Sequence, residues 1–379
     1  TVATANIASG AKLGLTLTDL ITAPERYVVV KTDTPAGLTV GTLDQSLVGN
    51  SPYLFVAQAS ADTAAGEVYV DVRRRTAVEM ELSQNQALAL DAVYAALGED
   101  DEIRDSFLSA DTRKEFLERF DQMLPDQGEG LFSSLDSITR TVSRLTGTRP
   151  DLRQRYGPDS FWIQEVNVQV MRDAGVSAGS ETKAFGFVGG YESMGSDGGA
   201  LGATLAFLTA EEKDDVAKIG EETSASLLEA GIYYRRSFGK FTINARGSAG
   251  YGWFNGDRVF IDPTNALIVE ANSEWTGFTG VLSASGSYEF TAGRFYARPA
   301  VSIDYLYLSE DSRAEDGDSG GFNQEVESRT SDRLSTTAEL ALGATFGRDL
   351  WWRPELRIGY RQNIGGEMGD TVFRFVGGQ

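Results

Sequence analysis

From Phe161 to the end of the chain, apolar and polar residues alternate with a period of two. This is the pattern of strands that turn one face to apolar surroundings and the other to water. Phe241, Ile243, Ala245, Ala249, Tyr251 and Trp253 alternate with Thr242, Asn244, Arg246, Ser248, Gly250 and Gly252. Phe295, Ala297, Pro299, Val301, Ile303, Tyr305 and Tyr307 do the same against Tyr296, Arg298, Ser302 and Asp304, and Trp352, Pro354, Leu356, Ile358 and Tyr360 against Arg353, Glu355, Arg357 and Arg361. Shorter alternations at Leu201–Phe207 and Leu228–Tyr234 bring the expectation to about nine complete strands, with the start of a tenth at Thr371–Val376.

Upstream the period changes. Ser83 with Gln86 reads as a capping box, followed by Leu90, Tyr94 and Leu97 on one helical stripe before Gly98. A second helix is expected near Asp111, with Phe116, Phe120 and Leu124 on one face and Pro125 as its stop. A third runs from about Gly130 to Leu145, carrying Leu131, Leu135, Ile138, Val142 and Leu145. Residues 1–82, rich in Thr, Val, Ala and Gly, carry apolar runs such as Tyr27–Val30 and Val68–Val72 between Gly and Pro turns, and read as short strands. Three regions follow: 1–82 strands, 83–157 helices and 158–379 long alternating strands.

Both a soluble β-sandwich and a transmembrane barrel alternate, and connection lengths separate them. Short connections are read at Ser193–Gly199, Ser237–Lys240, Thr291–Gly293 and Gly347–Asp349. Long acidic ones are read at Thr209–Thr223, Asn255–Ser273 and Ser309–Arg333. A strict rotation of short and long connections belongs to an outer-membrane barrel, whereas a sandwich has no reason to segregate its long loops. The fold class is therefore mainly β, an antiparallel transmembrane β-barrel preceded by a helical linker. With the long loops outside, the strand that begins near Phe161 starts in the periplasm, and a segment lying outside reaches it only through the pore.

The segment 130–156 is the candidate for that passage. It carries Arg140, Arg144, Arg149, Arg153 and Arg155 in a chain of net charge -21. The positions read as lumen-facing are Glu165, Glu229, Arg246, Arg298, Asp304, Glu339, Arg353, Glu355, Arg357 and Arg361, and the acids among them are expected to pair with those arginines. The alternative for the same arginines is a solvated periplasmic linker.

The chain has neither Cys nor His. That removes disulfides, thiolate nucleophiles, the Ser-His-Asp base and the commonest zinc ligand, so no enzyme activity and no cofactor is expected. The acidic balance excludes nucleic acid as a partner. No apolar run reaches the roughly 18 residues of a transmembrane helix, and Thr1–Gly10 has no signal-peptide character. Gly317-Asp318-Ser319-Gly320-Gly321 spells the nucleophile loop of chymotrypsin-like proteases, but no His is present to act as base and Phe322 follows it. The acids around it, from Glu310 to Asp318, lack EF-hand spacing, and the glycines at 195–202 lack the Lys-Ser/Thr of a phosphate loop.

The order of EVYVDVRRRTAVEMELSQNQALALDAVYAAL at 67–97, FLERFDQMLPD at 116–126, FWIQEVNVQV at 161–170 and the Gly-rich pair FGFVGGYE and GGALGATLAF within 185–207 resembles the autotransporters of type V secretion. The resemblance covers almost the whole chain. It implies a one-chain barrel of about twelve strands, whose pore holds the helix trailing an exported N-terminal passenger, with residues 1–82 as the last rungs of a parallel β-helix. The implied setting is the bacterial outer membrane with the passenger at the cell surface. The implied partners are outer-membrane lipid, the barrel-assembly machinery, periplasmic chaperones and the chain's own passenger, in a monomer. Final strands and a terminal aromatic residue of that pattern are missing after Gln379, so the sequence reads as a fragment. The paired Asn of the self-cleaving branch is absent from the pore-helix region. The competing function is a porin-like or structural outer-membrane barrel with a periplasmic N-terminal domain.

Overall fold

The computed structural model describes residues 1–13, 16–44, 52–125, 129–147, 159–172, 180–196, 198–214, 222–317, 319–346, 352 and 354–377. The chain enters through short strands: β1 (Ala5–Ile7), β2 (Glu25–Lys31), β3 (Leu38–Val40), β4 (Phe55–Asp62) and β5 (Glu67–Arg74). β1 pairs with β3 in parallel and Val2 bridges Thr32 in the same sense. β2, β5 and β4 form an antiparallel sheet instead, with β5 at its centre. The β4–β5 turn explains the difference from parallel rungs. Asp62 accepts the Ala64 and Ala65 N–H groups at 2.9 and 3.0 Å, and Gly66 takes φ 67°, closing a hairpin too tight for a parallel crossover.

Three helices close on this sheet. α1 (Gln84–Ala96) opens on the predicted Ser83–Gln86 capping box, and α3 (Arg113–Gln122) on a second box made by Thr112 and Glu115. Between them lies α2 (Asp101–Ser109), which the sequence reading omits. Asp100 caps it by accepting the Ile103 N–H at 2.9 Å, and Asp101 and Glu102 complement the dipole in its first turn. Leu90, Val93, Ile103, Phe107, Phe116 and Phe120 share one buried core with Val68, Val70 and Val72 of β5. After Pro125 the chain continues into α4 (Glu129–Gly147).

The rest is a wall. β6 (Asp159–Arg172), β7 (Ser180–Met194), β8 (Gly199–Asp214), β9 (Glu222–Phe238), β10 (Phe241–Asp262), β11 (Leu267–Tyr288), the short β12 (Phe290–Ala292) and β13 (Phe295–Glu310) follow as a meander. Small strands β14 (Arg313–Ala314), β15 (Asp316–Gly317) and β16 (Gln324–Val326) interrupt it before β17 (Arg329–Ala344), β18 (Glu355–Gly365) and β19 (Phe373–Phe375). The nine long strands each pair antiparallel with the next, in the order β18-β17-β13-β11-β10-β9-β8-β7-β6. The sheet is a curled half-barrel with β6 and β18 at its edges.

Alternation sets the two faces. Leu205, Phe207, Ile232, Leu282, Val301, Leu356 and Ile358 stand exposed on the convex side. Their neighbours point into the concave side, among them Leu208, Tyr233, Arg246, Val281, Asp304 and Ala341, all buried. A continuous exposed apolar belt on a meander of this size is the lipid-facing surface of an outer-membrane barrel. No helix of the described residues is long and apolar enough to cross a membrane.

Two expectations are corrected at the long-loop rim. Asn255–Ser273 is a continuation of β10 and β11, joined by a turn at 263–266, and not a loop. At about 3.3 Å per residue, these 22-residue strands extend roughly 70 Å, far beyond an apolar band about 25 Å tall, so the hairpin projects past the rim. Phe260, Val269 and Ala271 of the projection are buried in the α1–α3 core. The tenth wall strand expected at Thr371–Val376 is the short β19, which pairs with β16 and not with β18. Gly366, at φ 100°, turns the chain over β17, and the buried Phe375 joins the same core beside Phe322.

Candidate functional site

α4 lies in the concavity of the half-barrel, against β6 to β11 and β13. Its direction follows from its neighbours. Near its start, Ser134 donates to Thr182 at 2.7 Å, close to the long-loop end of β7. Near its end, Gly147 packs on Asn244, just past the β9–β10 turn. The helix therefore runs from the long-loop rim to the short-turn rim, where β6 begins by pairing Asp159 with Ser193.

The helix meets the wall through two different chemistries. Leu131, Phe132, Leu135, Ile138 and Val142 pack on Val166, Val188, Leu208, Leu227, Phe254 and Val281. Each of these helix side chains contributes about 1.5–3 kcal/mol by leaving water. This apolar flank covers the first half of the wall.

The opposite flank is charged. Asp136 lies 2.5 Å from Arg361 of β18 and 3.4 Å from Arg333 of β17. One turn pair further on, Arg144 lies 3.5 Å from Glu339, which also holds Arg357 at 3.3 Å. Arg357 reaches Glu355 at 2.5 Å, and Glu355 takes Arg298 at 2.6 Å and the Tyr296 hydroxyl at 2.7 Å. At the helix C-terminus, Arg235 donates to the Thr146 carbonyl at 3.4 Å and to Glu192 at 2.9 Å, while Tyr233 donates to Glu192 at 2.7 Å. A cation at this position complements the exposed carbonyls of the last turn. Between Arg140, Arg144 and the Ser- and Arg-lined face of β11, β13 and β17 there remains a cavity of about 320 Å³.

The sequence-predicted residues divide as follows. Glu229, Arg246, Arg298, Asp304, Glu339, Glu355, Arg357 and Arg361 face the concavity. Glu229 pairs with Arg246, whose other nitrogen donates to Ser143 of the helix at 3.1 Å, and Asp304 accepts from Ser283 at 2.6 Å and Ser302 at 2.9 Å. These two acids thus bond wall groups and not the helix arginines. Of the expected helix–wall pairs, Arg144–Glu339 forms, whereas Arg140 makes no ion pair within 4.0 Å among the described residues and donates to Ser137 at 3.5 Å. Arg149, Arg153, Arg155 and Arg353 lie outside the described residues.

Glu165 is a correction. It shares parity with the exposed Phe161, Ile163 and Met171, while Trp162, Val166 and Val168 face α4, so Glu165 points to the convex side. The basic residues of the segment do not point to Asp136, its one buried acid among the described residues. The signal was available: Asp136 stands off the Leu131–Leu135–Ile138–Val142 stripe, on the polar side. Ser319 and Gly321 of the protease-like pentapeptide make structural contacts. Ser319 donates to Asp100 at the cap of α2, and Gly321 allows the loop to approach α1 and α2, where a Cβ would meet the Ala96 carbonyl at 2.9 Å.

Comparison with known proteins follows the same lines. The profile of the autotransporter beta-domain matches residues 161–379. The translocator domain of the autotransporter NalP from Neisseria meningitidis is similar in structure, with a TM-score of 0.50 at 14% identity, over 63% of this chain and 81% of that one. No curated protein matches by sequence. A meander with an apolar outside, a polar and helix-filled inside, and a family match over more than half its length make this chain a member of the autotransporter family, carrying its outer-membrane translocator β-domain.

Proposed function

We infer that the barrel exports the segment N-terminal to it, and that residues 1–125 lie at the cell surface as the end of that passenger. The observation that supports this reading is the run of α4 from the long-loop rim to the short-turn rim, with β6 beginning where the helix ends. Outer-membrane barrels keep short turns in the periplasm and long loops outside. A chain that is outside at Glu129 and periplasmic at Asp159 has its remainder threaded through the pore. The charged flank of α4 gives the threaded segment a resting position, and folding of the passenger outside supplies direction, since no nucleotide motif is present. The membrane lipid, the assembly machinery and the periplasmic chaperones are the partners this route requires.

Two measurements test it. Protease added to intact cells is expected to cut the segment before Ser83 and to spare the turn at Ser237–Lys240; cleavage of that turn alone reverses the orientation. Deletion of 130–156 from the full-length protein is expected to open a plugged pore in planar bilayers. Unchanged conductance would support a porin-like barrel with a periplasmic domain instead.

A further inference from the structure

The two flanks of α4 close on the wall to different degrees. On the apolar flank the wall meets the helix with Val, Leu and Phe. On the other, β11 presents Ser283, Ser285 and Ser287, inward positions two residues apart, and β13 sets Ser302 and Ala300 opposite the last two. Side chains this short leave a gap to the helix, and the cavity of about 320 Å³ lies there. It follows α4 from Arg140 to Gly147 and the wall from Asp304 to Arg298, toward the short-turn rim. Liquid water takes about 30 Å³ per molecule, so the space admits a small polyatomic ion with part of its hydration.

The charges around this cavity are unevenly matched. Arg144 and Arg357 share Glu339, while Arg298 and Arg357 share Glu355. Asp304 has its two carboxylate oxygens taken by the Ser283 and Ser302 hydroxyls, at 2.6 and 2.9 Å. That leaves Arg140. Half-buried, it has no carboxylate within 4.0 Å among the described residues, and it donates to Ser137 of its own helix at 3.5 Å. The Thr337 hydroxyl, on the wall of the same cavity, is buried with no hydrogen-bond partner among the described residues.

A cation drawn out of water without an acid, and a buried hydroxyl without a partner, are both unfavourable. One ligand chemistry satisfies them together. A tetrahedral oxyanion accepts hydrogen bonds in several directions at once, suits the planar fork of a guanidinium, and supplies the negative charge that Arg140 lacks. We propose that this cavity binds a small inorganic oxyanion of the phosphate class, held by Arg140 and Arg144 of α4 and by the Ser285 and Thr337 hydroxyls of the wall. The bound anion adds a polar link between α4 and β11, a strand that the ion pairs of the helix do not reach. Lipid phosphates lie outside the convex wall, so the ligand is the free anion, entering from the short-turn rim. The export reading places that rim in the periplasm; the site itself belongs to the folded chain and stands whichever compartment the rim faces.

The test is calorimetric titration of inorganic phosphate into the folded full-length protein, in a phosphate-free non-ionic detergent at ionic strength held constant with chloride. The parent is expected to bind one phosphate saturably. Arg140→Gln should weaken binding about tenfold or more, through loss of a charge-assisted contact. Ser285→Leu, which fills the cavity from the wall and leaves every arginine in place, should abolish it. Lys183→Gln, which removes an exposed cation from the wall, is the control and should bind as the parent does. No saturable binding in the parent overturns the site, and so does binding within twofold of the parent in both cavity variants. Dihexanoylphosphatidic acid in place of phosphate is expected to give no binding; binding as tight as that of phosphate overturns the assignment to a free anion. A ligand of the seated helix alone also stabilises that state. Should neither cavity variant seat α4, amide exchange in the parent decides: phosphate must slow exchange in 136–144 relative to chloride at equal ionic strength, and equal rates overturn the site. The intact-cell protease assay bears on the export reading and leaves the titration result standing.

Discussion

The carboxylate of Asp136, on the helix inside the half-barrel, stands 2.5 Å from the guanidinium of Arg361, on the last long strand of the wall. With Arg333 at 3.4 Å on the neighbouring strand, this single buried acid joins α4 to two strands that the apolar flank of the helix does not reach. Asp136→Ala leaves two inward arginines without their acid. Removing one member of a buried pair typically costs about 3–5 kcal/mol, and the partial exposure of Arg361 places the expected loss toward the lower end. The prediction is a higher frequency of pore-opening events in single-channel recordings of full-length Asp136→Ala, with charge-preserving Asp136→Glu close to the parent. Equal opening rates in all three proteins would refute the anchoring role.

The other flank depends on shape. Leu135 and Ile138 are buried between α4 and the wall. Leu135→Ala is expected to lower the stability of the helix–barrel complex by about 2–5 kcal/mol, through lost burial and the cavity left behind. Its check is the urea midpoint of heat-resistant barrel migration, and the loss should persist in high salt, where charge interactions are screened.

Parity along β6 and β9 makes a sharper test. Glu165 faces the convex side and Glu229 the concave side. Glu165→Leu is expected to be neutral or stabilising in lipid, whereas Glu229→Leu strands Arg246 and Ser248 without their acceptor and should destabilise. On the same convex surface, Leu282→Arg is expected to cost about 2–4 kcal/mol if it stands near the bilayer midplane. Equilibrium folding into vesicles ranks the three; a destabilised Glu165→Leu would reverse the face assigned to it.

Two carboxylates of the N-terminal domain give opposite pH dependences. The Arg73 guanidinium, with help from the Thr76 N–H, holds Glu79 down at about 2, against its ordinary 4.5. A depressed acid stabilises the fold above its ordinary value, and that contribution fades as the pH falls from 4.5 toward 2. Burial raises Asp121 above its ordinary 3.8, and the hydrogen bond from Gln86 only partly offsets this. A raised acid stabilises below its ordinary value, and that contribution disappears as the pH climbs through the folded value. Asp121→Asn, which still accepts from Gln86, is therefore expected to resist proteolysis at neutral pH at least as well as the parent. Glu79→Gln should remove part of the acid sensitivity of the segment around Thr76. Proteolysis of 1–125 across pH 3–8 reads both.

Much of the architecture was visible in the bare chain because a membrane wall imposes strict rules on it. Phe241, Ile243 and Ala245 occupy one face and Asn244 and Arg246 the other, since the pleat allows nothing else. The capping box at Ser83 and the stripe from Leu131 to Val142 were equally local, hence legible. What escaped depends on contacts distant in sequence. α2 is held by Asp100 and by Phe107 packing on Phe260, a residue more than a hundred positions away. The β10–β11 projection reads as a loop because Asn255, Gly256 and Asp257 break the apolar alternation, yet the ladder continues through them. Pairings inside the pore follow the curvature of the wall, so the sequence named Glu229 and Asp304 as inward but assigned them the wrong bonding partners. Glu165 is different: its parity with Phe161 and Ile163 places it outward, and only its charge points inward.

α4 is oiled along one side and bound by charge along the other, and the two sides respond to different solvents. Raised ionic strength slackens the half-exposed Arg144–Glu339 contact, while the buried Asp136 anchor and the apolar seat on β6 to β13 resist it; a chaotrope that wets aliphatic surfaces loosens the apolar side first. The helix thus behaves as a door hung on a greasy jamb with an ionic catch. Salt eases only the exposed end of the catch, and agents that attack the hinge side take the helix out of the frame.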